Sequence, residues 1–295
     1  MSETSKPAGL SEADAAGRPG APVRVGMFPP LGLLEQPPET ARAYLARVAA
    51  AAIDHICCGD HVSFFGGMGF DGLVQAAALA MLHPALPIHT GVYLLPLRHP
   101  VLVARQLADI ARIAPGRLVF GTGIGGEDRH EVAACGVDPG SRGRRMDECL
   151  TVVRQLLTGK AVTFHGTFFD LDDVAIAPAP AEPAPVIVGG RSDVAVRRAG
   201  RPGPPARHAM QVWCGLADTK EAARAYLAPA MEAFYQLPFE RFERYCPYGS
   251  PDDIAEFLAP YAAAGCREFN LIPQAPDHDY AIAGTAAVKR ALERA

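Results

Sequence analysis

The chain has 295 residues, of which 49% are hydrophobic and 20% are charged, so it is long enough for one large globular domain. Its formal net charge is −4 and no basic cluster offsets that balance, which argues against nucleic acid as a partner. The apolar stretches are shorter than the roughly 20 residues that span a bilayer, so we expect no membrane span.

The N-terminal segment, residues 1–22, is rich in Ser, Gly, Ala and Pro, and acidic residues interrupt what would have to be the apolar core of a signal peptide. We expect a disordered tail there, followed by one domain over residues 23–295. The seven cysteines are scattered and form no CxxC pair, which indicates reduced thiols and a cytoplasmic protein. No spacing of His, Asp and Glu resembles a metal site, so we predict no metal.

Apolar runs and helical patterns alternate from residue 23 onward, which predicts parallel strands joined by helices. In chain order, the first part of the domain is predicted to contain strand 23–28, helix 40–52, strand 55–59, helix 71–82, strand 88–95, helix 100–113 and strand 117–120. These strands start about 30 residues apart, which is the spacing of βα units in a barrel.

The regular spacing of the strands ends after Gly121, because the next predicted strand starts at more than twice the usual distance along the chain. We predict an insertion at about residues 122–184 that contains a helix and a small hairpin turning at His165 and Gly166. The remaining predicted elements are helix 192–199, a break rich in Pro and Gly at 201–205, strand 209–214, helices 220–235 and 251–264, and strand 268–272. The total is seven strands, whereas a closed barrel needs eight.

Asp60 and His61 follow the second predicted strand. In a barrel, the carboxyl ends of the strands carry the active site. A histidine there can hold or exchange a proton near neutral pH, and a neighbouring carboxylate can orient it. Asp60 and His61 are therefore the candidate catalytic residues, and the alternative is a structural hydrogen-bonded pair at the barrel mouth.

Glycines mark two further candidate positions. Gly91 and Val92 lie in a predicted central strand, where a glycine indicates a bulge or a close approach to a ligand. Gly123 lies in GTGIGGE after the fourth strand, where the backbone can approach a flat ligand. The same letters fit the GxGxxG pattern of an NAD-dependent Rossmann dehydrogenase, but that fold needs an acid at the end of the next parallel strand, and none is found there.

A phosphate site is predicted after the strand PVIV. Gly189, Gly190, Arg191 and Ser192 open the next predicted helix. Free backbone amides and a cation at the positive end of a helix suit a phosphate group. Ser192 is equally suited to a simple N-cap, so both interpretations stay open.

Together, these motifs resemble the luciferase-like family of flavin- or coenzyme F420-dependent oxidoreductases. The resemblance covers about residues 23–200 and, less clearly, residues 209–295. It rests on the segments HICCGDH, LPLRHPVLVARQLADIARIAPGRLVFGTGIGGE, GVDPGSRGRRMDECLTVVRQLLTGKAVTFHGTFFDL and PVIVGGRSDVAVRRAG.

The resemblance implies an α/β fold, a TIM-type (β/α)8 barrel that binds reduced FMN or F420 at the carboxyl ends of its strands. The two cofactors are not distinguished. In the family a bulge, often with a non-proline cis peptide, backs the cofactor ring, and here it falls at Gly91 and Val92. The family's histidine near the ring corresponds to His61, and its phosphate-binding turn corresponds to Gly190, Arg191 and Ser192.

The sequence departs from the family pattern after RRAG. Family members continue with another strand and a long helix, whereas this chain runs directly into RPGPPARHAMQVWCG. We therefore expect a barrel that lacks one βα unit after about residue 200, in agreement with the count of seven strands.

The sequence thus favours an oxidoreductase or monooxygenase that uses reduced FMN or F420 on a small organic substrate. The alternatives are an NAD-dependent Rossmann dehydrogenase and a non-catalytic ligand-binding barrel that has lost its activity. A homodimer is also open, because barrel enzymes of this kind often pair through their outer helices.

Overall fold

A computed structural model describes residues 22–126, 128–190, 192–199 and 208–294. The strands within these ranges are β1 (Arg24–Met27), β2 (His55–Cys58), β3 (His61–Phe64), β4 (Met68–Phe70), β5 (Ile88–Thr90), β6 (Leu118–Thr122), β7 (Val162–His165), β8 (Asp170–Val174), β9 (Val186–Val188), β10 (Ala209–Leu216), β11 (Tyr248–Gly249) and β12 (Glu268–Gln274). The α-helices are α1 (Pro38–Ala50), α2 (Gly72–Leu82), α3 (Pro100–Ile113), α4 (Arg129–Ala134), α5 (Arg142–Leu156), α6 (Asp193–Ala199), α7 (Lys220–Tyr235), α8 (Pro251–Ala263) and α9 (His278–Arg294).

Most predicted elements are confirmed to within a few residues, and the predicted hairpin in the insertion is β7 paired antiparallel with β8. The predicted strand over 88–95 is too long: β5 ends at Thr90, and Leu95–Leu97 form a 3-10 helix. Four features were not predicted from the sequence: α4, α9, β11 and the antiparallel hairpin of β3 and β4. The hairpin had a signal in the sequence, the adjacent residues Gly66 and Gly67. In the structure both adopt positive φ at the turn.

The described residues divide into two compact units. The first extends from Cys58 to Ala199, and the second comprises residues 22–57 and 208–294. The predicted disordered tail and the predicted break at 201–205 fall almost entirely on residues that lie outside the description.

In the second unit, parallel pairings give the strand order β11-β10-β12-β1-β2. Apolar side chains of the strands pack against α8 and α9, and this core includes Val25, Val212, Leu216, Ile254, Leu258, Phe269, Leu271 and Val288. Inside the sheet, His55 Nε2 lies 2.6 Å from Asn270 Oδ1. Gly26 faces the same imidazole ring, and a Cβ at Gly26 would overlap it, so only glycine fits there.

In the first unit, parallel pairings give the strand order β5-β6-β9. Because parallel strands run in one direction, their carboxyl ends lie at one edge of the sheet. Backbone hydrogen bonds continue past that edge: Tyr93 N donates to Gly121 O at 2.8 Å, and Gly189 N donates to Thr122 O at 2.7 Å. Backbone hydrogen bonds therefore join the segments that carry Gly91, Gly123 and Gly189.

The count of seven parallel strands is wrong by one, because β11 pairs in parallel with β10. A strand of two residues is too short to give a periodic signal. Between β9 and β10, α6 is the one element that the described residues contain. Within the described ranges, each of the eight parallel strands is followed by a helix, from β1 and α1 to β12 and α9, so the expected loss of one βα unit is wrong.

The sequence around residue 250 has the pattern of a helix start. Ser250, Pro251 and Asp253 match the cap, first and third positions of a helix. Ser250 Oγ accepts a hydrogen bond from Asp253 N at 3.3 Å, and Asp253 Oδ2 accepts one from Ser250 N at 2.9 Å. This reciprocal capping box satisfies backbone amides that the first helical turn leaves without partners.

We predict that Ser250→Ala lowers the free energy of unfolding by about 1 kcal/mol, because the cap of α8 is lost. Urea unfolding measures this through the fluorescence of Trp213, the sole tryptophan, which lies on β10 in the same unit. Ser250→Thr, which keeps the hydroxyl, is the control. Equal stability of the alanine and wild-type proteins would show that the cap contributes nothing.

Candidate functional site

A bulge at Gly91 and Val92 follows the end of β5. A cis peptide bond joins the two residues, as the family resemblance implies. Gly91 N donates to Cys58 O at 2.8 Å, and Tyr93 N donates to Gly121 O. Both Gly91 and Val92 are half-buried. The predicted bulge is confirmed, and its role in cofactor binding stays a prediction.

Val92 brings the predicted glycines together. A Cβ at Gly123 would lie 2.6 Å from Val92 Cγ2, and a Cβ at Gly189 would lie 2.9 Å from Val92 Cγ1. Both distances are too short for packed carbon atoms. The missing side chains at Gly123 and Gly189 thus make room for Val92, which is a more specific role than the close approach to a ligand that we predicted for Gly123.

Asp60 is the centre of a buried ion pair. Arg98 binds it through two bonds of 2.7 Å, from Nη1 to Oδ2 and from Nη2 to Oδ1. The same carboxylate accepts from Gly72 N at 2.9 Å and Leu94 N at 2.8 Å, and Arg98 Nη2 also donates to Asp71 Oδ2 at 3.0 Å. Burial raises the pKa of the Asp60 carboxyl, while Arg98 and the two amides oppose that rise. The Asp60 side chain is fully buried.

These contacts correct the expected role of Asp60 as the carboxylate that orients His61. Successive residues of an extended chain point to opposite sides, so neighbours in sequence need not share a site. Asp60 instead fixes Arg98, whose guanidinium carbon lies 4.5 Å from the centre of the Tyr93 ring. Asp60 and Arg98 therefore hold the segment that follows the bulge.

His61 contacts another carboxylate, that of Glu131 on α4. Its Nδ1 lies 3.3 Å from Glu131 Oε1 and 3.2 Å from Oε2. Glu131 Oε1 also accepts from Val62 N at 2.6 Å and from Ser63 N at 3.2 Å. The His61 ring stacks on Phe64 with the ring centres 3.9 Å apart. The His61 side chain keeps 23% of its surface exposed, whereas Glu131 keeps 3%.

Glu131 is ionised at neutral pH. Burial raises the pKa of its carboxyl, but the hydrogen bonds from His61, Val62 and Ser63 outweigh burial and bring the pKa below its ordinary value. Sequence reasoning missed this residue. A weak signal existed, because Asp128 and Glu131 have the spacing of a helix N-cap and the third helical position.

Asp128 holds the same hairpin at a second point. Its Oδ2 accepts from Phe65 N at 2.9 Å, and its Oδ1 caps α4 by accepting from His130 N at 2.8 Å. The start of α4 thus presents two carboxylates to the backbone of the β3–β4 hairpin. Glu127, just before them, lies outside the described residues.

The predicted phosphate turn follows β9. Gly190 has a φ of +145°, which favours glycine. Ser192 Oγ accepts from Ala195 N at 3.3 Å, so its hydroxyl acts as a cap for the first turn of α6. Arg191 lies outside the described residues. The N-cap interpretation of Ser192 is therefore observed, and phosphate binding stays a prediction.

Three global features accompany this site. No helix in the described part of the chain has the length and apolar character to cross a membrane. Within the same ranges, no three His, Cys, Asp or Glu side chains are grouped as metal ligands. The seven cysteines are free thiols.

We predict that Arg98→Met lowers the free energy of unfolding by about 3–5 kcal/mol, because Asp60 would remain buried without its cation. Thermal and urea unfolding followed by circular dichroism measure the change. The matched control is Arg112→Met, which removes an exposed arginine 3.7 Å from Asp109 and is expected to cost less than about 1 kcal/mol. Equal effects of the two substitutions would contradict the role assigned to the buried pair.

Known proteins resemble this chain in sequence. The sequence model of the luciferase-like monooxygenase family matches residues 13–228. An uncharacterized protein of Mycobacterium tuberculosis is 39% identical over 139 residues, which cover 47% of this chain and 48% of the relative. An F420-dependent glucose-6-phosphate dehydrogenase of Nakamurella multipartita is 31% identical over 167 residues, covering 53% of this chain and 49% of the relative. The chain thus spans about half the length of the curated relatives it matches.

The fold also matches solved structures. An F420-dependent secondary alcohol dehydrogenase in complex with an F420–acetone adduct matches with a TM-score of 0.75 at 19% identity, covering 92% of this chain and 99% of that chain. This likeness confirms the predicted fold class, an α/β fold of the TIM-barrel, luciferase-like kind with a mostly parallel sheet. Because the family match covers well over half of the sequence, the chain belongs to the luciferase-like monooxygenase family.

Proposed function

We propose that this protein is an oxidoreductase that binds coenzyme F420 or FMN and exchanges a proton with a small organic substrate through His61. One observation carries the proposal: the half-buried bulge at Gly91 and Val92 is flanked by Gly123 and Gly189. The relatives named above that carry an activity in their names are F420-dependent enzymes, which supports F420 as the first candidate.

The residues present fit a planar cofactor ring. The two glycines keep Val92 in place, so its side chain and the Gly91 peptide offer an aliphatic wall against which a flat ring can pack. Gly189, Gly190, Arg191 and Ser192 would hold the phosphate of the cofactor, at a helix start. When bound, reduced F420 or FMN supplies hydride equivalents.

FMN is the second candidate cofactor, and the description of the family as monooxygenases favours it. A flavin would add the activation of oxygen to hydride chemistry, whereas a deazaflavin would restrict the enzyme to hydride transfer. The residues of the bulge suit both rings, because they contact a flat surface and do not select its substituents.

His61 is the residue that we assign to proton exchange. Its ring is oriented by Glu131 and Phe64 and remains partly exposed. An imidazole can hold or release a proton near neutral pH, as redox chemistry on an alcohol or carbonyl group requires. Asp60 has a positioning role in this proposal, since Arg98 and two backbone amides occupy its oxygens.

The sequence left two alternative functions open, an NAD-dependent Rossmann dehydrogenase and a non-catalytic barrel, and the first loses support. A Rossmann dehydrogenase needs a long helix directly after the glycine loop, whereas the loop after β6 leads into α4, a helix of six residues. A non-catalytic barrel remains as an outcome of the binding experiment below. We also propose a cytoplasmic location, which the seven free thiols support, and a homodimer, which light scattering of the purified protein can test.

We predict saturable binding of F420 or FMN to the purified protein, and at least about tenfold weaker binding by Gly189→Ala, which corresponds to roughly 1.4 kcal/mol. The new methyl group would collide with Val92 and displace the wall of the site. Fluorescence titration with each cofactor, oxidised and reduced, measures the affinity. The control is Gly140→Ala, whose new methyl group would have the side chain of Asp138 as its nearest neighbour, at 3.3 Å. Binding of neither cofactor by folded wild-type protein would favour the non-catalytic barrel.

We further predict that His61→Asn retains cofactor binding but lowers kcat by about 10²- to 10⁴-fold, because the group that exchanges the proton is lost. The assay follows the oxidation of reduced F420 or reduced FMN by a panel of carbonyl compounds, and the reverse reduction of F420 by secondary alcohols and sugar phosphates. Circular dichroism and the cofactor titration establish that the variant is folded. Undiminished turnover by this variant would remove His61 from the mechanism.

A further inference from the structure

We infer that Glu131 is a positioning residue that keeps the Nδ1 proton on His61 and thereby makes Nε2 the atom that exchanges a proton with the substrate. The mechanistic part of this inference rests on the proposed function. Its structural part, the location of the imidazole proton, is independent of any cofactor. The two parts can therefore be tested separately.

The charge of Glu131 determines which nitrogen of His61 carries the proton. An ionised carboxylate can only accept hydrogen bonds. The hydrogen bonds from His61, Val62 and Ser63 keep the pKa of Glu131 below its ordinary value, so Glu131 is ionised near neutral pH. The nitrogen that faces it, His61 Nδ1, must then carry a proton. In the neutral imidazole, Nε2 is left as the basic nitrogen, and in the cation it is the acid.

The hydrogen bonds of Glu131 also fix the position of the His61 ring. Glu131 Oε1 is held by Val62 N at 2.6 Å and Ser63 N at 3.2 Å, and both amides belong to the two residues that follow His61. The same carboxylate therefore fixes both the ring and the backbone that carries the ring. Phe64 stacks on the imidazole at an interplanar angle of 26°, which further limits its rotation.

A purely structural role for Glu131, as an anchor of the β3–β4 hairpin, is the competing explanation. Asp128 provides the matched control, because it anchors the same hairpin from the start of the same helix through Phe65 N. Asp128→Asn removes the same negative charge as Glu131→Gln and alters an anchor of the same hairpin. The two variants differ in that Glu131 is bonded to the imidazole Nδ1 of His61.

The substitution Glu131→Gln gives a directional prediction. Val62 N and Ser63 N both donate to Oε1, so the amide oxygen of glutamine is expected to take that position. The amide nitrogen would then take the place of Oε2, which lies 3.2 Å from His61 Nδ1. A donor would then stand at the shorter of the two contacts of Nδ1, while the other contact, 3.3 Å to Oε1, is to an oxygen that already accepts from two backbone amides, and this favours a proton on Nε2. In a triad hydrolase, the corresponding change from carboxylate to amide yields the wrong tautomer and costs about 10⁴-fold in kcat.

The first experiment is ¹⁵N NMR of histidine-labelled protein without cofactor, with the His61 signals assigned by their loss in His61→Asn. We expect the Nδ1–H tautomer in the wild type and in Asp128→Asn, and the Nε2–H tautomer in Glu131→Gln. Glu131→Asp, which keeps a carboxylate, is expected to retain Nδ1–H and is the second variant if the glutamine variant fails to fold. An unchanged tautomer in folded Glu131→Gln, a matching change in Asp128→Asn, or loss of Nδ1–H in folded Glu131→Asp would overturn the inference.

The second experiment measures steady-state kinetics against pH with the cofactor that binds. We expect Glu131→Gln to lower kcat by about 10- to 100-fold with KM within about threefold, to displace the pH profile of kcat/KM, and to be partly rescued by Glu131→Asp. A lower kcat with an unchanged pH profile in Glu131→Gln, or an equal loss in Asp128→Asn, would indicate an anchor alone. If no cofactor binds at all, the proposed function fails while the tautomer experiment still decides the structural part.

Discussion

The buried ion pair between Asp60 and Arg98 is the interaction on which the candidate site depends. Removing two charges from water costs several kcal/mol for each ion, and the pair is tolerable only when further hydrogen bonds satisfy both groups. Here Asp60 receives both arms of the Arg98 guanidinium and two backbone amides. Those amides belong to Gly72, at the start of α2, and to Leu94, just after the bulge. The carboxylate thus joins three segments of the first unit at one point.

Hydrogen bonds on both sides hold the bulge at Gly91 and Val92 in position. On one side, Gly91 N bonds to Cys58 O. On the other side, Leu94 N bonds to Asp60. Between these two hydrogen bonds, Val92 packs into the space that Gly123 and Gly189 leave because they have no side chain. The two glycines are therefore required for the packing of the bulge itself. The bulge is thus positioned by a backbone hydrogen bond, by a hydrogen bond to a charged side chain and by the packing of Val92.

The features that could be predicted from the sequence are those that depend on local patterns of residues. The alternation of strands and helices and the cap of α8 depend on residues close in the chain, so composition and spacing were sufficient. For the bulge after β5, the glycine alone left a bulge and a close approach to a ligand open, and the family resemblance implied the bulge. The partner of His61 was missed because Glu131 lies 70 residues away, and Arg98 lies 38 residues from Asp60. No local pattern encodes such pairs, since only the fold brings them together. The neighbour in sequence, Asp60, was chosen for His61 although adjacent residues of an extended chain face opposite sides.

The point at which the sequence departs from the family pattern bears on whether the site can work. The contacts that fix Asp60, His61 and Val92 all involve residues between Cys58 and Gly189, which belong to the first unit. The departure from the family pattern begins only after about residue 200. The departure therefore leaves intact the contacts that position the histidine, the bulge and the ion pair, so the geometry on which the proposed function rests does not depend on that part of the chain.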